Sequence, residues 1–212
     1  MGRPKADPSI YESLLTAATQ LMLAKGYNAT RVDEICALGK LSKGAFFHYF
    51  PDKEALGEAV LRNWIRNGAM VYRDAPFWKL ASPMERAVGY IDFTAKLFKS
   101  MPQKGCMVGT LTQELAATRP EFRRLAADSF KQWASGLRKL LDDVISKEQI
   151  EAGTEKLAYH FIVIYEGALI LAKALERPAI VDEQLHLYKQ LLKCIAGRKR
   201  KHVVSRKQRR RV

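Results

Sequence analysis

Residues 41–50 read LSKGAFFHYF, and the fold turns on whether this stretch is a buried aromatic helix or a surface made for something charged and grooved. Ser42 is a favourable residue with which to cap a helix. Helical spacing from it puts Phe46 and Phe50 at i and i+4, facing inward toward Leu21 and Ile35. Lys43, Ala45, Phe47, His48 and Tyr49 then fall on the outer face and the ends. A rod of that width suits the major groove of duplex DNA, with the backbone N–H groups of its first turn offered to a phosphate.

The flanking residues predict the company this rod keeps. Asp7-Pro8 is an N-cap followed by proline at the first helical position, and Ile10, Leu14, Ala17, Ala18, Leu21 and Met22 recur at helical spacing until Gly26. Thr30 to Asp33 reads as a capping-box variant opening a short helix with Val32, Ile35 and Leu38 inward. Pro51-Asp52 caps a longer helix that runs to about Tyr72. A long helix followed by two very short ones predicts a helix-turn-helix unit over about 7–50.

Composition sets the limits. A chain of 212 residues, 48% hydrophobic and 27% charged, can build a proper core. Its net charge of +14 points to a polyanionic partner, but residues 197–212, GRKRKHVVSRKQRRRV, hold nine of the cations and no acid. Taking nine from fourteen leaves about +5 for everything else. Cys36, Cys106 and Cys194 are too scattered for a disulfide framework or a zinc site and fit a reducing compartment. The amino terminus lacks a signal-peptide core, Ala6 breaks the myristoylation pattern, and the longest apolar run, around Glu166, looks too short to span a bilayer. The expectation is a soluble, cytoplasmic protein with no membrane partner.

Beyond residue 72, RDAPFWKLASP (73–83) breaks the periodicity, and helices are expected at about 84–100, 105–117, 120–147, 154–176 and 182–196. No strand pattern or repeat occurs, so the fold class is all-α. The expected organisation is a helix-turn-helix domain over 1–50, a connecting helix over 52–72, a helical domain over 73–197 and a basic tail over 198–212. In the helix at 154–176 one apolar stripe holds Phe161, Ile164, Tyr165, Ala168, Leu171 and Leu175, and a second holds Ile162, Val163, Leu169 and Ile170. A helix apolar on most sides must be covered on most sides. Two arrangements satisfy this: a buried central helix of a monomer, or a homodimeric four-helix bundle with Ile164, Ala168, Leu171, Leu175, Tyr188 and Leu192 at its interface.

The ordered run Leu14-Leu15-x-Ala17-Ala18, Gly26-Tyr27, Thr30, Ile35, Ser42-Lys43-Gly44, Phe46 to Phe50, Lys53-Glu54 and Leu56 resembles the DNA-binding end of the TetR family of bacterial transcriptional regulators. The resemblance implies a three-helix DNA-binding domain and a carboxy-terminal domain that binds a ligand and dimerises. It implies a repressor of double-stranded operator DNA, released by a small molecule or by thiol modification. Carried over position by position, Ser42, Lys43 and Gly44 stand at the start of the reading helix, and Ala45 and Phe47 face the groove. His48 and Tyr49 lie near the sugar-phosphate chain, while Lys53 and Thr30 match phosphate-contacting positions. Two departures stand out. Gly39-Lys40-Leu41 replaces the usual Ala-Gly-Val, putting a lysine where the turn favours glycine, and Phe47 replaces a frequent tyrosine.

Lys104-Gly105-Cys106-Met107, with Glu114, Pro120, Phe130 and Trp133 downstream, resembles a subgroup whose sixth helix opens with Gly-Cys and some of whose members sense electrophiles or oxidants. A cysteine in the first turn of a helix beside Lys104 would favour its thiolate, and the plainer reading is a small packed side chain. Met107, Leu111, Trp133, Tyr159 and Tyr165 are candidate pocket walls, or simply core. No enzyme, cofactor or metal is expected: the four histidines have no ligand spacing, Asp142 and Asp143 diverge on a helix, and Gly39 to Ser42 lacks the glycine of a phosphate loop. The alternative function is non-specific nucleic-acid binding through the basic tail.

Overall fold

The computed structural model describes residues 7–101, 105–145 and 153–209, with side chains as far as residue 197. Lys104 and the side chains of the basic tail lie outside them. Among the described residues there are nine α-helices, one short 3-10 turn and no strand. The helices are α1 (Pro8–Lys25), α2 (Val32–Leu38), α3 (Lys43–Tyr49), α4 (Lys53–Arg73), α5 (Pro83–Ser100), α6 (Met107–Leu115), α7 (Pro120–Asp142), α8 (Gly153–Ala174) and α9 (Ala179–Arg209). The 3-10 turn is Pro76–Lys79.

The chain gathers into two compact units, residues 1–73 with 102–129 and residues 74–101 with 130–212. The span 73–197, expected as one domain, is therefore shared: α6 and the first turns of α7 pack with the amino-terminal helices, and α5 does not.

In the first unit, α1 opens where its sequence says, with the Asp7 carboxylate accepting from Ser9 N at 2.9 Å. It closes at Gly26, whose φ of 88° lies in the region that suits glycine. The start of α2 differs from expectation. Arg31 precedes the helix, its N–H donating to the Glu34 carboxylate at 2.9 Å, while Thr30 is fully buried and its hydroxyl donates to Gly26 O at 2.6 Å. Ile35 is buried, but Leu38 is exposed rather than inward, because α2 ends there. The turn into α3 puts Lys40 at φ 54°. A non-glycine residue held there costs about 1–2 kcal/mol. Ser42 caps α3, accepting from Ala45 N at 3.1 Å, and Phe46 is fully buried beneath it. Phe50 is buried too, stacked on Tyr11 with ring centroids 5.3 Å apart. Asp52 caps α4 through Ala55 N at 2.8 Å.

Helix α6 completes this unit. Met107 and Leu111 are fully buried. The Glu114 carboxylate accepts from Tyr27 N through one oxygen and from Asn28 N through the other, each at 2.8 Å. A Cβ on Gly26 would meet Glu114 Oε1, so a side chain there would have to displace that carboxylate, while the φ already favours glycine. From α4, Lys53 Nζ donates to Tyr27 O at 3.1 Å and Thr30 O at 3.0 Å, and sits 4.3 Å from the centre of the Tyr27 ring. Burial pulls the Lys53 ammonium below its usual range, against the pull of Glu114.

In the second unit α5 starts with a full capping box: Ser82 Oγ accepts from Glu85 N at 3.1 Å, and Ser82 N donates to Glu85 at 3.0 Å. Helices α8 and α9 pack together, with buried Tyr188 donating its hydroxyl to Leu157 O at 2.8 Å. At 22 residues and a mean hydropathy of 1.4, α8 is long and apolar enough to cross a bilayer, contrary to the expectation from its apolar run. Yet Leu157, Ala158, Phe161, Ile162, Tyr165, Ala168, Leu169 and Ala172 are buried in the core of this unit. Helix α9 runs to Arg209, well past the expected end near 196: Gly197, where the apolar period stops, lies inside the helix instead of ending it as Gly26 ends α1.

The double acceptance by Glu114 gives a test. Glu114→Ala should lower the unfolding free energy by about 2 kcal/mol, since charge-assisted hydrogen bonds are lost and two backbone donors are orphaned. Denaturant titration measures it, and amide exchange at Tyr27 and Asn28 should accelerate. A variant as stable as the parent, with both amides still protected, would show that Glu114 braces nothing.

Candidate nucleic-acid interface

Three short-range constraints present α3 to solvent. The Ser42 cap starts it, the Phe46 side chain anchors its inner face, and the chain leaves it at buried Phe50. What remains outward is Ser42, Lys43, Gly44, Phe47 and His48, with Ala45 half-buried between them. Phe47 stands 55% exposed, its ring set edge-on to Phe46 at 5.1 Å. His48 is edge-on to Tyr49 at 5.1 Å. Lys43 Nζ reaches Asp33 Oδ1 on α2 at 2.8 Å, and that hydrogen bond pushes its pKa above the usual lysine value. The pair is wide open to water and screened, so a phosphate can compete for the ammonium.

Gly44 is informative by elimination. Its backbone has no left-handed φ, and the nearest atom to an added Cβ would be Ser42 Oγ at 3.7 Å, an ordinary contact. Nothing within the subunit requires glycine here.

Three of the nine residues expected at DNA have other employment. Thr30 is fully buried and bonded to Gly26 O, so it cannot touch a phosphate. Lys53 has its ammonium lodged on two carbonyls of the α1–α2 turn. Tyr49 donates its hydroxyl to Asp7 O at 2.8 Å, tying α3 to the start of α1. These side chains tie the helices of the unit to one another. One exposed cation was missed, Arg31, which flanks α2 opposite exposed Lys40, whose charge the turn sequence had already pointed out. Arg31 was passed over because the cap of α2 was placed one residue early. The bracing role of Glu114 carried no local signal at all.

The expected effector residues divide. Met107 and Leu111 are fully buried and Cys106 half-buried at the N-cap of α6, all in the first unit. In the second unit Trp133 meets Tyr165 and Phe161, with ring centroids 5.8 and 6.2 Å away, and its indole N–H donates to the Tyr90 hydroxyl. Tyr159 is exposed instead of joining them. Among the described residues no three His, Cys, Asp or Glu side chains gather into a metal-holding group.

The expected interface on α8 and α9 also divides. Ala168, Tyr188 and Leu192 are buried within the subunit and unavailable to a partner, and Ile164 is half-buried. Leu171 and Leu175 are exposed, alongside Val163 and Ile170 on α8 and Leu187 and Leu191 on α9. Both stripes of α8 are apolar, so periodicity did not say which residues of each the subunit covers, and each is split between core and surface.

Comparison with known proteins agrees with this architecture at both ends. Residues 14–60 match the profile described as bacterial regulatory proteins, tetR family, and residues 83–187 match the tetracyclin repressor-like, C-terminal domain. The chain is 28% identical over 191 residues to the transcriptional regulator AcuR of Cereibacter sphaeroides, covering 84% of each. It is 25% identical over 174 residues to the HTH-type transcriptional repressor DhaR of Mycobacterium sp. (strain GP1), covering 79% of this chain and 84% of that one. The crystal structure of a regulatory protein TetR from Rhodobacter sphaeroides superposes with a TM-score of 0.75 at 25% identity, over 85% of this chain and 97% of the other. With its DNA-binding helices and its carboxy-terminal domain both matched, the chain belongs to the TetR family of transcriptional regulators.

Proposed function

We propose that this protein is a homodimeric repressor whose two α3 helices enter successive major grooves of an operator, about 34 Å apart. The observation that carries the reading is Phe47, a large apolar ring held in water beside Lys43 and His48 and above a buried Phe46. A ring in that setting is stabilised when a thymine methyl or a sugar covers it. Gly44 adds support, because a glycine that its own subunit does not need suits a backbone approached closely by something else. Repression is favoured by the printed name of DhaR, a transcriptional repressor.

Fluorescence anisotropy on the DNA upstream of the protein's own gene tests the reading. Phe47→Ala should weaken operator binding roughly 10-fold or more, the scale of one lost base contact. Gly44→Leu should do the same while leaving stability within about 1 kcal/mol, since the helix tolerates leucine better than glycine. Variants that bind like the parent would remove α3 from the interface.

Release from the operator is assigned to a small ligand or to modification of the Cys106 thiol. If alkylation weakens binding by the parent and spares Cys106→Ser, the thiol is the trigger. If alkylation spares both, the trigger is a reversible ligand.

The exposed face of α8 and α9 is proposed as the dimer contact. Val163, at 67% exposed, with Ile170, Leu171 and Leu175 on α8, and Leu187 with Leu191 on α9, make apolar stripes at helical spacing. Two copies facing each other bury both stripes in a four-helix bundle. The pair of substitutions Val163→Glu and Leu175→Glu should turn the dimer into a folded monomer in sedimentation and abolish tight operator binding. A dimer that survives both changes uses another surface.

A further inference from the structure

We propose that Asp33 and Lys43 together read one G·C base pair of the operator, Lys43 donating to the guanine and Asp33 accepting from the amine of the cytosine. This rests on the reading that α3 enters the major groove. The first residues of a recognition helix are the ones that meet base edges, and Lys43 is the first residue of α3. Its Nζ lies 2.8 Å from Oδ1 of Asp33 on α2, and both side chains stand well out in water. Wherever the ammonium reaches a base edge, the carboxylate arrives with it.

A carboxylate is out of place on a surface meant only for phosphates. It repels them, and when ionised it has no hydrogen to donate. The subunit has little use for it either. Of the two acids in the first turn of α2, Glu34 serves the fold, accepting from Arg31 N at 2.9 Å and pairing with Lys25 at 2.6 Å. Asp33 pairs with Lys43, an open and screened contact that adds little to stability. In the major groove the base-edge donors that a carboxylate can meet are the amines of cytosine and adenine. Lys43 selects between them. An ammonium has three N–H bonds, so two remain for neighbouring acceptors once Asp33 is satisfied. Guanine presents O6 and N7 side by side, and the cytosine amine stands next to O6 at about 2.9 Å, the ordinary length of an N–H···O hydrogen bond. The donor and acceptor of the ion pair are 2.8 Å apart, so they meet O6 and the amine in matching order without separating. An A·T pair sets its amine between its two acceptors and a methyl group beyond one of them, which leaves the ammonium a single acceptor. Gly44 adds no side chain beside Lys43 to hold the base pair off. A phosphate, which any sequence supplies, takes the ammonium alone; the base pair takes both partners, and the intact pair therefore belongs to the specific complex.

The experiment uses the full-length protein and operator duplexes in which each base pair under α3 is replaced in turn by every other, with affinities read by anisotropy. At one position of each half-site the parent should prefer G·C roughly 10-fold, the scale of one base contact. Asp33→Ala should lose most of that preference and keep the parent's preferences at all other positions. N4-methylcytosine in the same pair keeps the pairing and puts a methyl group where the groove-facing amine hydrogen was. It should weaken the parent by a similar factor and leave Asp33→Ala almost unaffected; because the parent itself responds, this arm does not depend on how the variant folds. A variant that keeps every base preference of the parent, or that binds all duplexes more tightly by one common factor, would overturn the proposal, since Asp33 would then only balance the charge of Lys43. So would an equal loss in both proteins from the methyl group, or a preference for A·T at the position that Asp33→Ala alters. A parent that does not distinguish operator from scrambled duplex would instead remove the function assigned to α3.

Discussion

The DNA-reading half of the molecule depends on a carboxylate that comes from elsewhere in the chain. Glu114, on α6, accepts the amide hydrogens of Tyr27 and Asn28, in the turn that leads from α1 to α2. That turn satisfies only part of its backbone by itself. It leads into two helices of seven residues, α2 and then α3, too short to persist alone, and its backbone groups need partners where burial removes water. Thr30, within the turn, bonds the carbonyls of Gly26 and Tyr27, and the other partners come from outside: Glu114 of α6 for two amides and Lys53 of α4 for the carbonyls of Tyr27 and Thr30. The direction in which α2 and α3 face is thus set by α4 and α6 as much as by the helix-turn-helix sequence. This is also why α6 groups with the first unit although α5, its predecessor in the chain, does not.

The same geometry sorts polar residues that look alike in sequence. Lys43 and Lys53 are both lysines at the start of a helix near the expected interface. Lys43 is solvated and held by one open carboxylate, whereas Lys53 is half-buried, with two carbonyls and a ring around its ammonium. An ammonium in the second setting is costly to withdraw, because its carbonyl partners would be left without a donor. The first setting loses little when a phosphate replaces Asp33. Scaffold and surface are separated by desolvation, which residue type does not report.

Much of the first unit was legible in its sequence because the signals there are local. Asp7-Pro8 and Gly26 bound α1, Ser42 caps α3, and Phe46 and Phe50 face inward as their i,i+4 spacing requires. The departure noted at the turn has its cost, since Lys40 adopts a positive φ where the resemblance implies glycine. What escaped depends on distance or on degeneracy. Glu114 stands 87 residues from Tyr27, and nothing around it hints at the pairing. Thr30 looks like a cap because threonine before an acidic turn usually is one, but Glu34 reaches Arg31 N instead and frees the Thr30 hydroxyl for Gly26. On α8 both stripes are apolar, so the burial of Ala168 and the exposure of Val163 follow from where α9 packs, which no period encodes.

That degeneracy on α8 has a consequence for reading DNA. Each stripe is divided: the core takes Phe161, Tyr165 and Ala168 from one and Ile162 and Leu169 from the other, while an exposed strip of Val163, Ile170, Leu171 and Leu175, continued by Leu187 and Leu191 on α9, is left in water at a cost that scales with its area. A monomer has no second layer with which to cover it. A two-fold copy does, since it presents the identical stripe, and an isologous contact needs no surface other than the one already there. The pairing also answers the smallness of α3. Seven residues reach only a few base edges, and each good contact discriminates by only about 1–3 kcal/mol. Doubling the helix multiplies the two discriminations and fixes the spacing at which both are satisfied. In the proposed dimer, the apolar face of α8 and α9 therefore serves specificity, by making one weak reader into two that must agree.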